Sequence, residues 1–516
     1  MKGQRVLAAA LCASLIALPA LCAEPVAAKL DPRIFEGVGA WQTKSFIVVM
    51  REPADLSGAD RIADRSARRC FVYEALRDQA DRTQAGIRAV LDNAGVRYRS
   101  FYITNMIEVE GGVSLAETLA AREDVSSVIR NDPLRLSPAP PAVDATPLRA
   151  SPSVAATVEP NITLIGAPAV WAQGYKGQGI VIGLIDDGFS WEHPALKRQY
   201  RGWDGTNASY DYNWHDAVHD IEPGDTCGGP NSPTPCDSVF GTAAAGLSVG
   251  DDGLGNQIGV APEARFFGCR AFAEGPNIGT VARFTECLQF CLAPTDHNGA
   301  NPRPDLGADV INNSWTCDPV DGCTAFDALQ TIFENVRAAG VFSVAAAGTK
   351  GTCATIAVPA GYDTVFAVGA TVTDGVASIS SSRGPVTADG SNRLKPDVCA
   401  PGVGLRVALQ AEGYGVLDGN TGFSTPEVAG AVALLWSAAP DLIGQITATA
   451  DVLRSTAVGF KSTEDCPPYP GNMVPNAVFG YGRIDVAAAV DASSHQNREK
   501  PIEPKRTRPP HVVSPR

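Results

Sequence analysis

The chain has 516 residues and a formal net charge of -14. With 45% hydrophobic and 19% charged residues it is an ordinary water-soluble globular protein of two or three folding units, which excludes a fibrous or largely disordered chain. The acidic balance argues against a nucleic-acid partner, whose phosphates select basic surfaces, and says nothing about the fold.

At the N-terminus, Lys2 and Arg5 precede an apolar run from Val6 to Leu21, and Cys22 and Ala23 then stand before Glu24. This charged, apolar, small-residue order is that of a secretory signal over residues 1–23. The run is short for a membrane span and Pro19 interrupts it. Bulky Leu21 argues against a lipid anchor at Cys22. A secreted or periplasmic protein without a membrane span is expected.

After a spacer over 24–44, residues 45–136 predict a small α+β domain. It opens on the strand-like run Phe46 to Met50 and continues with a helix-favouring stretch from Glu74 to Leu91. Alternating residues follow from Arg97 to Glu110, then a second helical pattern from Leu115 to Ala121 and a last strand from Val125 to Ile129. Residues 137–160 are rich in proline and small residues and read as a linker. From 161 to 492 the pattern becomes apolar, β-branched runs between helical periods: Gly179 to Ile185, Asp309 to Asn313, Val341 to Ala345 and Val365 to Val368. Continuous apolar strands separated by helices predict an α/β domain of three layers with a mostly parallel sheet. Residues 493–516, rich in Lys, Arg, Pro and Glu, read as a disordered basic tail.

Of 13 cysteines, Cys12 and Cys22 fall in the signal and Cys70 in the next unit, leaving ten. An even number in an exported chain permits disulfides. Cys227 with Cys236 and Cys317 with Cys323 are near enough to close short loops. Cys269, Cys287 and Cys291 lie in apolar stretches, where buried thiols are an equal reading. Neither paired CxxC motifs nor a His/Cys cluster at zinc spacing occurs, so no metal and no cofactor is expected.

Several segments of the large domain carry recognisable motifs in a fixed order. Asp186-Asp187-Gly188 ends a strand, with His193-Pro194-Ala195-Leu196 downstream. Asp237-Ser238-Val239-Phe240-Gly241-Thr242-Ala243 follows, then Gly259 to Ala264, Val310 to Trp315, Ala345 to Thr349, Ser381 to Pro385, Lys395 to Gly402 and Pro426 to Gly430. In this order the segments resemble the subtilisin-like serine proteases, the subtilase family. Residues 45–136 resemble that family's inhibitory propeptide, which implies an intramolecular chaperone and a partner supplied by the chain itself.

Acyl transfer by such a site needs a hydroxyl nucleophile, an imidazole base, a carboxylate to orient it, and oxyanion donors. The resemblance places Asp186 at the triad aspartate, Phe240 at the histidine, and Ala243 at the second histidine of the same motif. Phenyl accepts no proton. His215 and His219 lie some residues upstream as conceivable substitutes. The nucleophile position stays open: anchoring on Pro426 gives Gly422, anchoring on Tyr414 to Gly419 gives Thr421, and a two-residue deletion gives Ser424. Thr349 stands at the oxyanion asparagine. Borrowing magnitudes from subtilisin, losing that donor costs roughly 100- to 1000-fold, and losing base or nucleophile costs on the order of 10⁶. Ser314, Trp315 and Gly348 are the candidate substrate-binding residues, because the family binds extended peptide along those strands and strand pairing needs no catalytic group. The expectation is an inactive pseudoprotease that binds a peptide or protein ligand. The alternatives are an active serine endopeptidase with displaced nucleophile and base, and a folded relic without a ligand.

Overall fold

A computed structural model of the chain describes residues 26–37, 39, 42–131, 134–135, 157–225, 227, 229–273, 278–317, 326–410 and 412–499. The signal at 1–23, most of the linker, Cys323 and residues 500–516 of the tail lie outside them. No helix among the described residues is long and apolar enough to cross a membrane.

The N-terminal unit is built from β1 (Lys44–Met50), α1 (Arg65–Ala94), β2 (Tyr98–Phe101), β3 (Met106–Gly111), α2 (Val113–Ala120) and β4 (Val125–Arg130). Its strands form one antiparallel sheet in the order β2-β3-β1-β4. Alternation places Phe46, Val48, Ile107, Val109 and Val128 in one core with Ile87 and Leu91 of α1. Helix α1 begins nine residues before the expected Glu74. Asp64 caps it by accepting from the Ala67 amide at 2.8 Å, and left-handed Gly95 (φ 64°) ends it. The spacer is structured too: Val26–Lys29 and Pro32–Phe35 form helical turns, and Lys29 Nζ donates to the Arg122 and Val125 carbonyls.

Strand β5 (Leu134–Arg135) leaves this unit, and the large α/β domain follows. The central elements of that domain are β6 (Val181–Asp186), β7 (Trp214–Asp216), α3 (Val239–Val249), β8 (Arg265–Arg270), β9 (Ile278–Gly279), α4 (Val281–Leu292), β10 (Val310–Asn313), α5 (Phe326–Ala338), β11 (Phe342–Ala346), β12 (Phe366–Thr373), β13 (Val376–Ala377), β14 (Val398–Pro401), α6 (Thr421–Ala438) and α7 (Ile446–Ser455). The main sheet runs β13-β12-β11-β10-β6-β8-β7, with β14 also on β12. Every pair is parallel except β12·β13. One face packs on α3 and α6 through Val344, Val368 and Leu434. The other packs on α4 and α5 through Ile185, Ile311 and Phe333. Both faces are covered, so the strands read as unbroken apolar runs.

Two segments depart from the expected boundaries. Thr157–Val158 already pair with Asn256–Gln257 and a helix starts at Pro160, so the linker's end belongs to the domain. Helix Val486–Glu499 carries buried Ser493 into the region read as tail.

The N-terminal unit sits on α4 and α5. The Asn131 side chain accepts from the Ala282 amide at the start of α4 (3.0 Å), and Gln289 Oε1 accepts from the Tyr102 amide (2.9 Å). Asn335 donates to the Ile103 carbonyl at 2.6 Å. At the start of α1, Arg69 is buried against Asp309 (2.5 Å), and Arg65 joins the same carboxylate at 3.0 Å. Strand β5 pairs antiparallel with β9.

Candidate active site

Asp186 is the last residue of β6, at the carboxyl edge of the parallel sheet. The turn that follows is held by the start of α3. Asp187 accepts from the Gly241 amide at 3.1 Å and from the Ser238 hydroxyl. Gly241 lies so close to the Gly188 carbonyl that a Cβ there would collide with it, which seats the first turn of α3 directly over Asp186. Phe240 is in that turn and is 37% exposed, so no core packing depends on its ring.

Asp186 is buried and makes no ion pair among the described residues. Burial first, and then the neighbouring Asp187 carboxylate, push its carboxyl well above the usual range.

The four histidines with described side chains are all engaged elsewhere. His193 binds the Gly413 carbonyl through Nε2 (2.8 Å) and accepts from the Ala195 amide through Nδ1, with its ring against Tyr414. His215 stacks on Phe290 and reaches Glu286 at 2.7 Å, His219 reaches the same carboxylate at 2.9 Å, and His297 pairs with Asp211. His215 pairs with Cys269, which pairs with Ile185, so it stands two strands (about 10 Å) from β6 on the face opposite Asp186. Neither His215 nor His219 comes to Asp186. Arg99 of the N-terminal unit joins Glu286 at 2.6 Å; against the cost of burial, the hydrogen bonds from His215 and His219 and the charge of Arg99 hold the carboxylate far below its ordinary value.

Helix α6 carries all three candidates for the nucleophile position. Thr421 opens it fully buried, its hydroxyl spent on the amide and carbonyl of Gly348. Ser424 is fully buried one turn on and donates to the Ala400 carbonyl at 2.9 Å. Between them Gly422 is partly open, and a Cβ added there would meet only the Ser314 carbonyl, at 3.1 Å. Of the three candidates, only Gly422 is not fully buried; the hydroxyls of Thr421 and Ser424 are both bonded within the fold. Thr349 follows Gly348 and is half-buried, so it lies beside the start of α6.

The proposed peptide contacts come out differently. Trp315 is 3% exposed and stacked on Phe284 at 4.0 Å, which makes it a packed aromatic rather than an open contact. Gly348 is committed to Thr421, and the Ser314 hydroxyl accepts from Asn312 at 2.8 Å. The strand that takes an extended chain is β9, with β5 of the same molecule on it; sequence reading passed over this two-residue strand. The only signal there was Gly279, which lies against Phe284 and Phe272 where a Cβ would not fit, followed by Thr280 capping α4.

The sequence model of the subtilase family matches residues 177–482, from before β6 to beyond α7. The chain belongs to the subtilase family. Among curated subtilases, Bacillopeptidase F of Bacillus subtilis (strain 168) is 30% identical over 501 residues, 91% of this chain and 33% of that protein, so this chain spans about a third of its length. Subtilisin E of the same organism is 29% identical over 338 residues, 65% of this chain and 72% of that protein. The major intracellular serine protease of that strain is 29% identical over 282 residues. Eight of the ten remaining cysteines also resolve among the described residues of this subtilase. Cys227–Cys236, Cys269–Cys287 and Cys353–Cys466 are bridged, and Cys291 and Cys399 are buried thiols. Cys269 and Cys287 are thus a disulfide joining β8 to α4, where buried thiols had been an equal expectation.

Proposed function

We propose that this subtilase is a catalytically inactive pseudoprotease, exported to a secreted or periplasmic location, that keeps the family's cleft for an extended peptide or protein segment. The observation that carries the reading is the pairing of an open Gly422 with a buried, fully bonded Ser424. The site offers no hydroxyl where a nucleophile would stand and no imidazole over Asp186. Residues 45–136 act as the propeptide-type domain, and β5 on β9 is the model for how a ligand binds: main-chain pairing, which requires none of the lost groups. Three disulfides among the described residues support an oxidising compartment.

The test is self-processing of purified precursor. Wild type stays uncut between 137 and 160 and hydrolyses no peptide in a mixed library. The triple variant Phe240→His, Gly422→Ser, Thr349→Asn gains both activities, since the phenyl is exposed and a Cβ at Gly422 needs only the Ser314 carbonyl, 3.1 Å away, to give by a few tenths of an ångström. Self-cleavage by the wild type that Ser424→Ala or His215→Ala abolishes would overturn the proposal in favour of a displaced active site.

A further inference from the structure

At the end of the sheet opposite the cleft, the amino ends of β11 and β12 and the first turn of α7 line a half-open pocket of about 140 Å³. This is roomier than one bound water requires. Its polar lining is two arginines, the hydroxyls of Ser343, Thr364 and Thr447, and the single carboxylate of Asp363. Arg337, from the last turn of α5, makes no ion pair among the described residues and donates only to the Thr447 hydroxyl, at 2.8 Å. Arg454 adds a second guanidinium, bonded to Asp397 at 2.6 Å and more weakly to Asp451.

Two hydroxyls on the strand side strengthen the case independently. Ser343 is 4% exposed and its Oγ has no hydrogen-bond partner; Thr364 Oγ1 is buried and likewise unpaired. Buried hydroxyls without partners are costly, and their convergence with a free guanidinium on one cavity points to an absent acceptor. Helix α7 contributes its amino end: Ile446 and Thr447 line the cavity, and Gln445 at the cap makes no side-chain cap bond. The first amides of a helix lack intrahelical acceptors and carry the positive end of its dipole. One carboxylate, the exposed Asp363, stands at the rim.

We propose that this cavity is a binding site for a small tetrahedral oxyanion of the phosphate or sulfate class, held by Arg337, Arg454, Ser343 and Thr364. Such an ion would tie α5, α7 and the sheet together at the end remote from Asp186.

Calorimetric titration of the full-length protein with inorganic phosphate, and separately with sulfate, at matched ionic strength tests this. One saturable site is expected, weakened about ten-fold or more by either Arg337→Gln or Ser343→Ala, the effect of losing one hydrogen bond to a charged group. Ser343→Ala removes a buried hydroxyl without a partner, so in chloride buffer this variant should be at least as stable as the wild type while still losing the anion. An unsaturable signal, or saturation that neither variant weakens, refutes the site. Equal binding of acetate would refute the tetrahedral assignment.

Discussion

Glu427 lies inside α6, fully buried, with Oε1 accepting from Asn161 at 2.5 Å and Oε2 without a partner. Burial raises its carboxyl from 4.5 to about 8, with the Asn161 hydrogen bond opposing. The folded protein therefore holds a proton at pH 7 that the unfolded chain has released. A raised acid favours the fold fully below the unfolded pKa, and that support is lost as pH rises toward the folded pKa, after which the whole cost is present. At about 1.4 kcal/mol per unit, the cost at pH 7 is about 3 kcal/mol, rising to a ceiling of about 5 above pH 8. Glu427→Gln keeps the shape, stays neutral at every pH, and can still accept from Asn161. Urea unfolding of both proteins at pH 5, 7 and 8.5 isolates this one group, because every other titration cancels in the difference. The variant should exceed the wild type by less than about 1 kcal/mol at pH 5 and by about 3 at pH 7. A difference that does not change with pH would show that Glu427 is ionised or hydrated in the fold, and would refute the reasoning.

Ser424→Ala should lower stability by about 1 kcal/mol, the value of one buried neutral hydrogen bond, and leave peptide binding unchanged, as measured by unfolding and by titration with a peptide covering residues 128–136. Arg69→Ala should cost about 3–5 kcal/mol, because it strands the buried Asp309 carboxylate with only the half-exposed Arg65 for an ion pair. Limited proteolysis should then cut within 45–136 faster than in the wild type. Replacing Cys353 and Cys466 by serine removes a link across 113 residues and should cost up to about 4–5 kcal/mol, read as a fall in melting temperature.

Much of the fold was legible because its signals are local. Runs such as Val181 to Ile185 and Val310 to Ile311 are apolar on both sides of the strand, and only a sheet covered by helices on both faces buries such runs. The register around Phe240 rests on equally local signals. Asp237, Gly241 and Thr242 flank Phe240 without any gap, and the contacts of Gly241 with the Asp186–Gly188 turn explain why that register cannot slide.

The nucleophile's register was not readable. Gly422 and Ser424 are two residues apart in one helix, about 200° around its axis, so only one of them can face the cleft. Which one does is set by what packs on α6 from distant segments: Gly348 gripping Thr421, and the Ala400 carbonyl taking the Ser424 hydroxyl. The same holds for His215 and His219, drawn to Glu286 of α4, for Trp315 drawn onto Phe284, and for Cys269 bridged to Cys287. By itself the sequence determined the family and the layered sheet, because motif order and strand hydrophobicity are properties of adjacent residues. Only the tertiary structure decided which hydroxyls of α6 are bonded within the fold and which chain lies on β9, because burial and pairing join residues tens to hundreds of positions apart.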